Sequence, residues 1–129
     1  MQRWVMALVG LGVLAGCEKP DDRFEAPIPI TTQADMDTYI AGRALSANSG
    51  QVFVITSDGR IVGTWDGKSL LGRYHMAGGM YCREIYAGPH GPTGEDCQVL
   101  VLDNGTLVFT RERGTGASFS LAVNGMAEG

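Results

Sequence analysis

Residues 97–111 read Cys97-Gln98-Val99-Leu100-Val101-Leu102-Asp103-Asn104-Gly105-Thr106-Leu107-Val108-Phe109-Thr110-Arg111. Asp103-Asn104-Gly105 is the clearest hairpin turn in the chain, because Asn and Gly tolerate the positive φ that a two-residue turn demands of both central residues. The apolar stretches on either side, Cys97 to Leu102 and Thr106 to Arg111, predict the two strands it joins. Downstream, Gly114-Thr115-Gly116 precedes Ala117 to Val123. There Phe119, Leu121 and Val123 share one face and Ser118 and Ser120 the other, the alternation of a half-buried strand.

The same grammar runs upstream to Gly50. Strands are predicted at Gln51 to Thr56, Arg60 to Trp65, Lys68 to Tyr74 and Met80 to Tyr86, separated by Ser57-Asp58-Gly59, Asp66-Gly67 and Gly78-Gly79. Before Gly50 the period changes. Thr32 is a helix cap, Asp35 an acid in the first turn, and Met36, Tyr39, Ile40 and Ala44 fall on one face, with Gly42 marking the end. The prediction is a mainly β domain with one N-terminal helix: a curved antiparallel β-meander or small barrel of about seven short strands. Glycines inside strands, Gly63 and Gly72, suit bends or bulges where such a sheet curls.

Length and composition agree. The 129 residues suit one domain, 44% hydrophobic content allows a packed core, and 19 glycines suit many tight turns. A net charge of −4 argues against nucleic acid and anionic membrane surfaces as partners.

The first 16 residues read as a secretory signal: a basic start at Arg3, an apolar run from Trp4 to Leu14, and a small-residue exit. An 11-residue run is well short of the roughly 20 that a spanning helix needs. Leu14-Ala15-Gly16-Cys17 resembles the bacterial lipobox, in which the cysteine sulfur is lipidated before cleavage; two or more acyl chains suffice for stable anchoring. Loss of Arg3 leaves nine basic residues against 14 acidic ones. Residues 17–31, with Pro20, Pro27 and Pro29 among many charges, read as an extended tether. The expected organisation is therefore a signal (1–16), a lipid-anchored tether (17–31) and one domain (32–129), facing the periplasm. Glu18 after the cysteine, where Asp tends to retain enterobacterial lipoproteins in the inner membrane, favours the outer one. Gly10-Leu11-Gly12 with Gly16 looks like a dinucleotide fingerprint, but it lies inside the signal and lacks the strand–turn–helix context.

With Cys17 on lipid, Cys82 and Cys97 form an even pair in an oxidising compartment, and a bridge between them would staple the turn-rich segment Ala87 to Gly94. A metal site from these cysteines with His75 and His90 lacks the close Cys spacing that zinc sites use, so no metal or cofactor is expected.

The remaining chemistry is sparse. Gly63-Thr64-Trp65 is similar to the G-x-W signature of lipocalins, small-ligand barrels in which it lies on the first strand. His75 and His90 have no spacing to a Ser or Asp that suggests a triad. Glu84, Glu95 and Asp96 are candidates for a carboxylate pair, with turn and solvation roles the commoner reading. Arg111-Glu112-Arg113 ahead of Gly114 and Gly116 suits an anion-binding corner or a solvated strand end. Trp65, Tyr74, His75, Tyr81, Arg83, Arg111 and Arg113 are the candidate ligand or partner surface.

Ser57-Asp58-Gly59-Arg60-Ile61, Tyr81-Cys82-Arg83-Glu84, Asp96-Cys97-Gln98-Val99, Phe109-Thr110-Arg111 and Arg113-Gly114-Thr115-Gly116 together resemble a family of small exported bacterial proteins of unestablished function. Where family members often carry Trp, this chain reads Arg73-Tyr74-His75-Met76. Some members go under the name dihydrodipicolinate reductase, a cytoplasmic hydride transfer that needs a nucleotide-binding βαβ unit; this sequence has no such unit. The expected function is non-catalytic: an envelope lipoprotein whose β-domain binds a protein or envelope component. The second reading is a lipocalin-like binder of a small apolar ligand, and the third an envelope hydrolase.

Overall fold

The computed structural model describes residues 26–125. Cys17, the signal and most of the expected tether lie outside them. The element order is β1 (Ile28–Ile30), α1 (Gln33–Tyr39), β2 (Ala44–Ser46), β3 (Gln51–Ile55), β4 (Arg60–Trp65), β5 (Lys68–Ala77), β6 (Met80–Ala87), β7 (Thr93–Asp103), β8 (Thr106–Thr110), a four-residue helical turn (Arg111–Gly114) and β9 (Ser118–Val123).

Three hairpins are built on two-residue turns whose central residues both have positive φ: Asp66-Gly67, Gly78-Gly79 and Asn104-Gly105. That geometry twists in the same sense as the strands, so each hairpin sets its own register. All pairings are antiparallel, in the order β7-β6-β5-β4-β3-β2-β9-β8, and β8 pairs back onto β7. The sheet therefore closes into an eight-stranded barrel. Its seam is non-local: Leu45 of β2 lies opposite Val123 of β9.

Two strands were not expected. Ile28–Ile30, read as part of the tether, lies beside Leu100–Leu102 of β7. It continues the edge that β6 occupies further back along β7, so the domain begins before residue 32. Ala44–Ser46, partly read as helix tail, is β2 and links β3 to β9. β7 also starts at Thr93, inside the segment expected to be loop.

Interior positions alternate as a barrel requires: Phe53 and Ile55, Leu100 and Leu102, Leu107 and Phe109, Leu121 and Val123 are all buried. Burying one such side chain contributes roughly 1.5–3 kcal/mol. Gly63 is needed because a Cβ there would sit 2.4 Å from the Phe53 Cα on β3. Gly72 lies at the register shift between β5 and β6, so the expected bulge is present.

Helix α1 forms where expected. Thr32 and Asp35 make a reciprocal capping box, with Asp35 N donating to Thr32 Oγ1 at 3.1 Å and Thr32 N to Asp35 Oδ2 at 3.3 Å. Its buried Met36, with Ile40 at its C-cap, joins the core cluster. Gln33 Nε2 donates to the Tyr74 hydroxyl, which donates to the Thr56 carbonyl at 2.6 Å. The helix thus plugs the end of the barrel where β3 finishes. Among the described residues no helix is long and apolar enough to cross a membrane.

Candidate functional site

The end of the barrel opposite α1 is open and holds a cavity of about 130 Å³. Its walls are inward-facing residues near the ends of the strands away from α1. Phe53, Ile61, Leu70 and Phe109 form the apolar body, and Phe119 stacks flat on Phe109 at 4.7 Å between centroids. The loop between β6 and β7 covers one side, where His90 meets Trp65 edge to face at 5.4 Å.

Besides Gln51, His90, Thr93 and the Tyr81 hydroxyl, three polar side chains stand in this lining, one each from β6, β7 and the residue following β8. Arg83 is in phase with inward-facing Tyr81, and Arg111 is in phase with Leu107 and Phe109. Gln98 is in phase with Leu100 and Leu102 and is only 1% exposed.

Gln98 Nε2 donates to Asp96 Oδ2 at 3.0 Å, which fixes the orientation of the amide. Its Oε1 is then buried with no hydrogen-bond partner among the described residues. An unpaired buried acceptor costs about 1–3 kcal/mol. The oxygen is inaccessible even to a water molecule, so it does not open onto the cavity and the cost falls on the fold.

Asp96 organises a second part of the wall. Its Oδ1 accepts from the Glu112 amide at 3.1 Å, inside the turn where Glu112 and Arg113 both adopt left-handed φ. Two consecutive non-glycine residues in that region are strained, and such strain gathers where side chains must be aimed. The turn places the Arg111 guanidinium over the Phe119 ring, 4.9 Å from its centroid. Arg111, Glu112 and Arg113 are all exposed, as at a solvated strand end, and the corner's backbone bond to an anion is the one from Glu112 N–H to the chain's own Asp96. Arg83 Nη1 donates to Thr93 Oγ1 and the Gly94 carbonyl; Asp96 lies opposite Arg83 in the β6–β7 register, but among the described residues neither Arg83 nor Arg111 forms an ion pair.

Of the candidate surface, the structure brings Trp65, Tyr81, Arg83 and Arg111 together around the cavity. The other three are elsewhere. Tyr74 faces inward at the plugged end and holds α1. His75 is on the outer wall, 3.7 Å from Glu95. Arg113 is exposed in the turn and does not line the cavity. Burial pushes the hydroxyls of both Tyr74 and Tyr81 up, so they stay protonated. Glu84 faces outward beside Arg73 at 3.6 Å, away from Asp96, so the candidate carboxylates do not converge. Of the histidines only His75 adjoins the cysteines, in one outward-facing row with Cys82 and Cys97, while His90 sits at the mouth, and among the described residues these side chains form no metal-holding cluster. Cys82 and Cys97 are directly opposite in the β6–β7 register, at disulfide distance.

Sequence reasoning missed Gln98, Asp96 as an organiser, Phe119 and His90. A signal existed for Gln98: a polar residue at an inward phase between buried leucines. None existed for His90, which a loop brings in. No family model, curated protein or solved structure matches the chain.

Proposed function

We propose that the barrel is a non-catalytic binding module that takes a small, mostly apolar ligand into its open end, in the manner of a lipocalin. The observation that carries this reading is the cavity of about 130 Å³ walled by aromatic and aliphatic side chains in a barrel whose other end is plugged. Between the two binding readings that the sequence offers, the cavity favours a small ligand over a protein or envelope component.

Size narrows the occupant. Clefts for drug-sized ligands run to about 300–1,000 Å³, whereas an apolar cavity of about 150 Å³ holds one benzene ring. This site fits a single ring or a short branched chain, and a long acyl chain is too large.

The module is proposed to be held at the membrane by lipid on Cys17, a reading supported by the signal and lipobox resemblance at residues 1–17. The test is saturation-transfer NMR on the full chain in detergent with water-soluble single-ring compounds. Ring compounds should contact the protein, and Leu70→Phe, which fills the cavity, should abolish the transfer while the β-sheet circular dichroism is retained. Persistence of the signal in a folded Leu70→Phe variant would sink the cavity as the site. Intact mass of the membrane-extracted chain against Cys17→Ser tests the anchor separately.

A further inference from the structure

The charge around the cavity is one-sided. Of the described residues that line it, the side chains with a permanent charge are Arg83 and Arg111, and none is Asp, Glu or Lys. His90, which also lines it, can add only positive charge.

Neither guanidinium is used up by the fold. Arg83 donates through Nη1, to Thr93 Oγ1 and the Gly94 carbonyl, and its other nitrogens have no partner among the described residues. Arg111 lies over the Phe119 ring, 4.9 Å from its centroid, and donates no hydrogen bond among the described residues.

One acid stands beside them. Asp96 lies opposite Arg83 in the β6–β7 register and accepts the amide of Glu112, the residue after Arg111. Each of its oxygens already holds a donor, Gln98 Nε2 on one and Glu112 N on the other, and it does not line the cavity. The Glu112 carboxylate lies against Gly116, outside the lining. Two guanidiniums beside one carboxylate leave the mouth positive, and a cleft of one sign with apolar walls concentrates the opposite charge. The planar fork of arginine grips carboxylates and phosphates through paired hydrogen bonds, whereas a cation finds no counter-charge in the lining.

We infer that the cavity selects its ligand by charge: it takes a small apolar molecule carrying an oxyanion, which Arg83 and Arg111 hold while the apolar body rests among Phe53, Leu70 and Phe109. This rests on the ligand-binding reading above and names the class of ligand. A carboxylate and a phosphate monoester share that chemistry.

The experiment is an NMR-monitored titration of the full chain in uncharged detergent with phenylacetate, benzyl phosphate, neutral phenylacetamide and cationic phenethylamine. The tighter of the two anions should bind about tenfold better than phenylacetamide, the size of one charged hydrogen bond. Phenethylamine should bind most weakly. Phenylacetate ahead of benzyl phosphate points to a carboxylic acid, and the reverse order to a phosphate monoester. Added salt should shrink the advantage of the anions and leave phenylacetamide unmoved. Arg83→Met, at a half-buried position, should remove most of that advantage, and Arg111→Met, at an exposed one, should reduce it about threefold. Arg111→Met keeps the test available if circular dichroism shows that Arg83→Met does not fold. Phenylacetamide binding as tightly as both anions, phenethylamine binding tightest, or an advantage that survives both folded arginine variants overturns the inference and leaves the cavity a ligand site without charge selection. If none of the four binds, both readings fail.

Discussion

Gln98 and Asp96 lie two residues apart on β7, and the Gln98 amide nitrogen donates to the Asp96 carboxylate at 3.0 Å, leaving the amide oxygen buried and unpaired. The pair is asymmetric in its consequences for stability. Asp96→Ala removes the partners of two donors at once, the Gln98 amide and the Glu112 backbone N–H, and should cost about 1–3 kcal/mol. Gln98→Leu removes an orphaned acceptor and keeps the volume, so it should fall within about 1 kcal/mol of the parent or above it. Urea unfolding of both variants checks this. A Gln98→Leu loss as large as that of Asp96→Ala would show that the amide contributes to the fold through its bond to Asp96.

Cys82 and Cys97 are 15 residues apart in sequence and directly opposite across β6 and β7. A bridge closing that loop should contribute about 3 kcal/mol by restricting the unfolded chain. The Cys82→Ser, Cys97→Ser double variant should unfold at correspondingly lower urea, and reductant should lower the parent to nearly the same midpoint while leaving the variant unmoved. Thiol titration of the native parent should count neither cysteine.

Gly63 has no room for a side chain. A Cβ would meet the Val52 carbonyl oxygen at 2.2 Å and the Phe53 Cα at 2.4 Å, both backbone atoms that cannot swing aside. Gly63→Ala should therefore reach or pass the upper end of the roughly 1–3 kcal/mol typical of overpacking. Gly67→Ala is the informative contrast. It has open space but a positive φ of 80°, so its cost should be limited to about 1–2 kcal/mol of backbone strain.

Asp35 is held below the usual carboxylate range, first by the Thr31 amide and then by its bonds at Thr32, with burial opposing. A carboxylate whose folded pKa is depressed stabilises the fold above its unfolded pKa and loses that contribution as pH falls through the folded value. Asp58, lowered mainly by the Thr56 hydroxyl, acts in the same direction. Thermal midpoints should thus fall on acidification below 3.8, the ordinary value for an aspartate. The Asp35→Asn variant should be less stable than the parent at neutral pH, with the gap closing in acid. A gap independent of pH would mean that the capping box does not depend on the charge.

Arg113 has φ 58° in the turn and does not line the cavity. Arg113→Gly relieves left-handed strain worth about 1–2 kcal/mol and gives part of it back as unfolded-chain entropy, for a net gain of up to about 1 kcal/mol. Its melting temperature should rise while single-ring binding is unchanged. A fall would indicate that the Arg113 side chain braces the turn.

What the sequence determined by itself is local. Asn104-Gly105, Asp66-Gly67 and Gly78-Gly79 specify tight hairpins because positive φ at two consecutive positions is a demand few residue pairs meet. The alternation of Phe119, Leu121 and Val123 assigns one face to the core, and Thr32 with Asp35 starts α1, since each of these acts within a few residues. Trp65, Tyr81, Arg83 and Arg111 could be named as candidates from residue type alone. Only the tertiary structure could separate them from Tyr74, His75 and Arg113. Which side of the wall a residue takes, and which end, depends on how the strands shear as the barrel closes, and that closure rests on partners as distant in sequence as Leu45 and Val123. The same closure drew Ile28–Ile30 out of the expected tether, because the edge of β7 beyond β6 offered unpaired backbone groups for it to satisfy. It also placed Gln98, polar in an otherwise apolar phase, at the base of the open end, where its amide oxygen faces no partner. Turn chemistry wrote the hairpins; long-range pairing decided that their polar residues meet in one mouth.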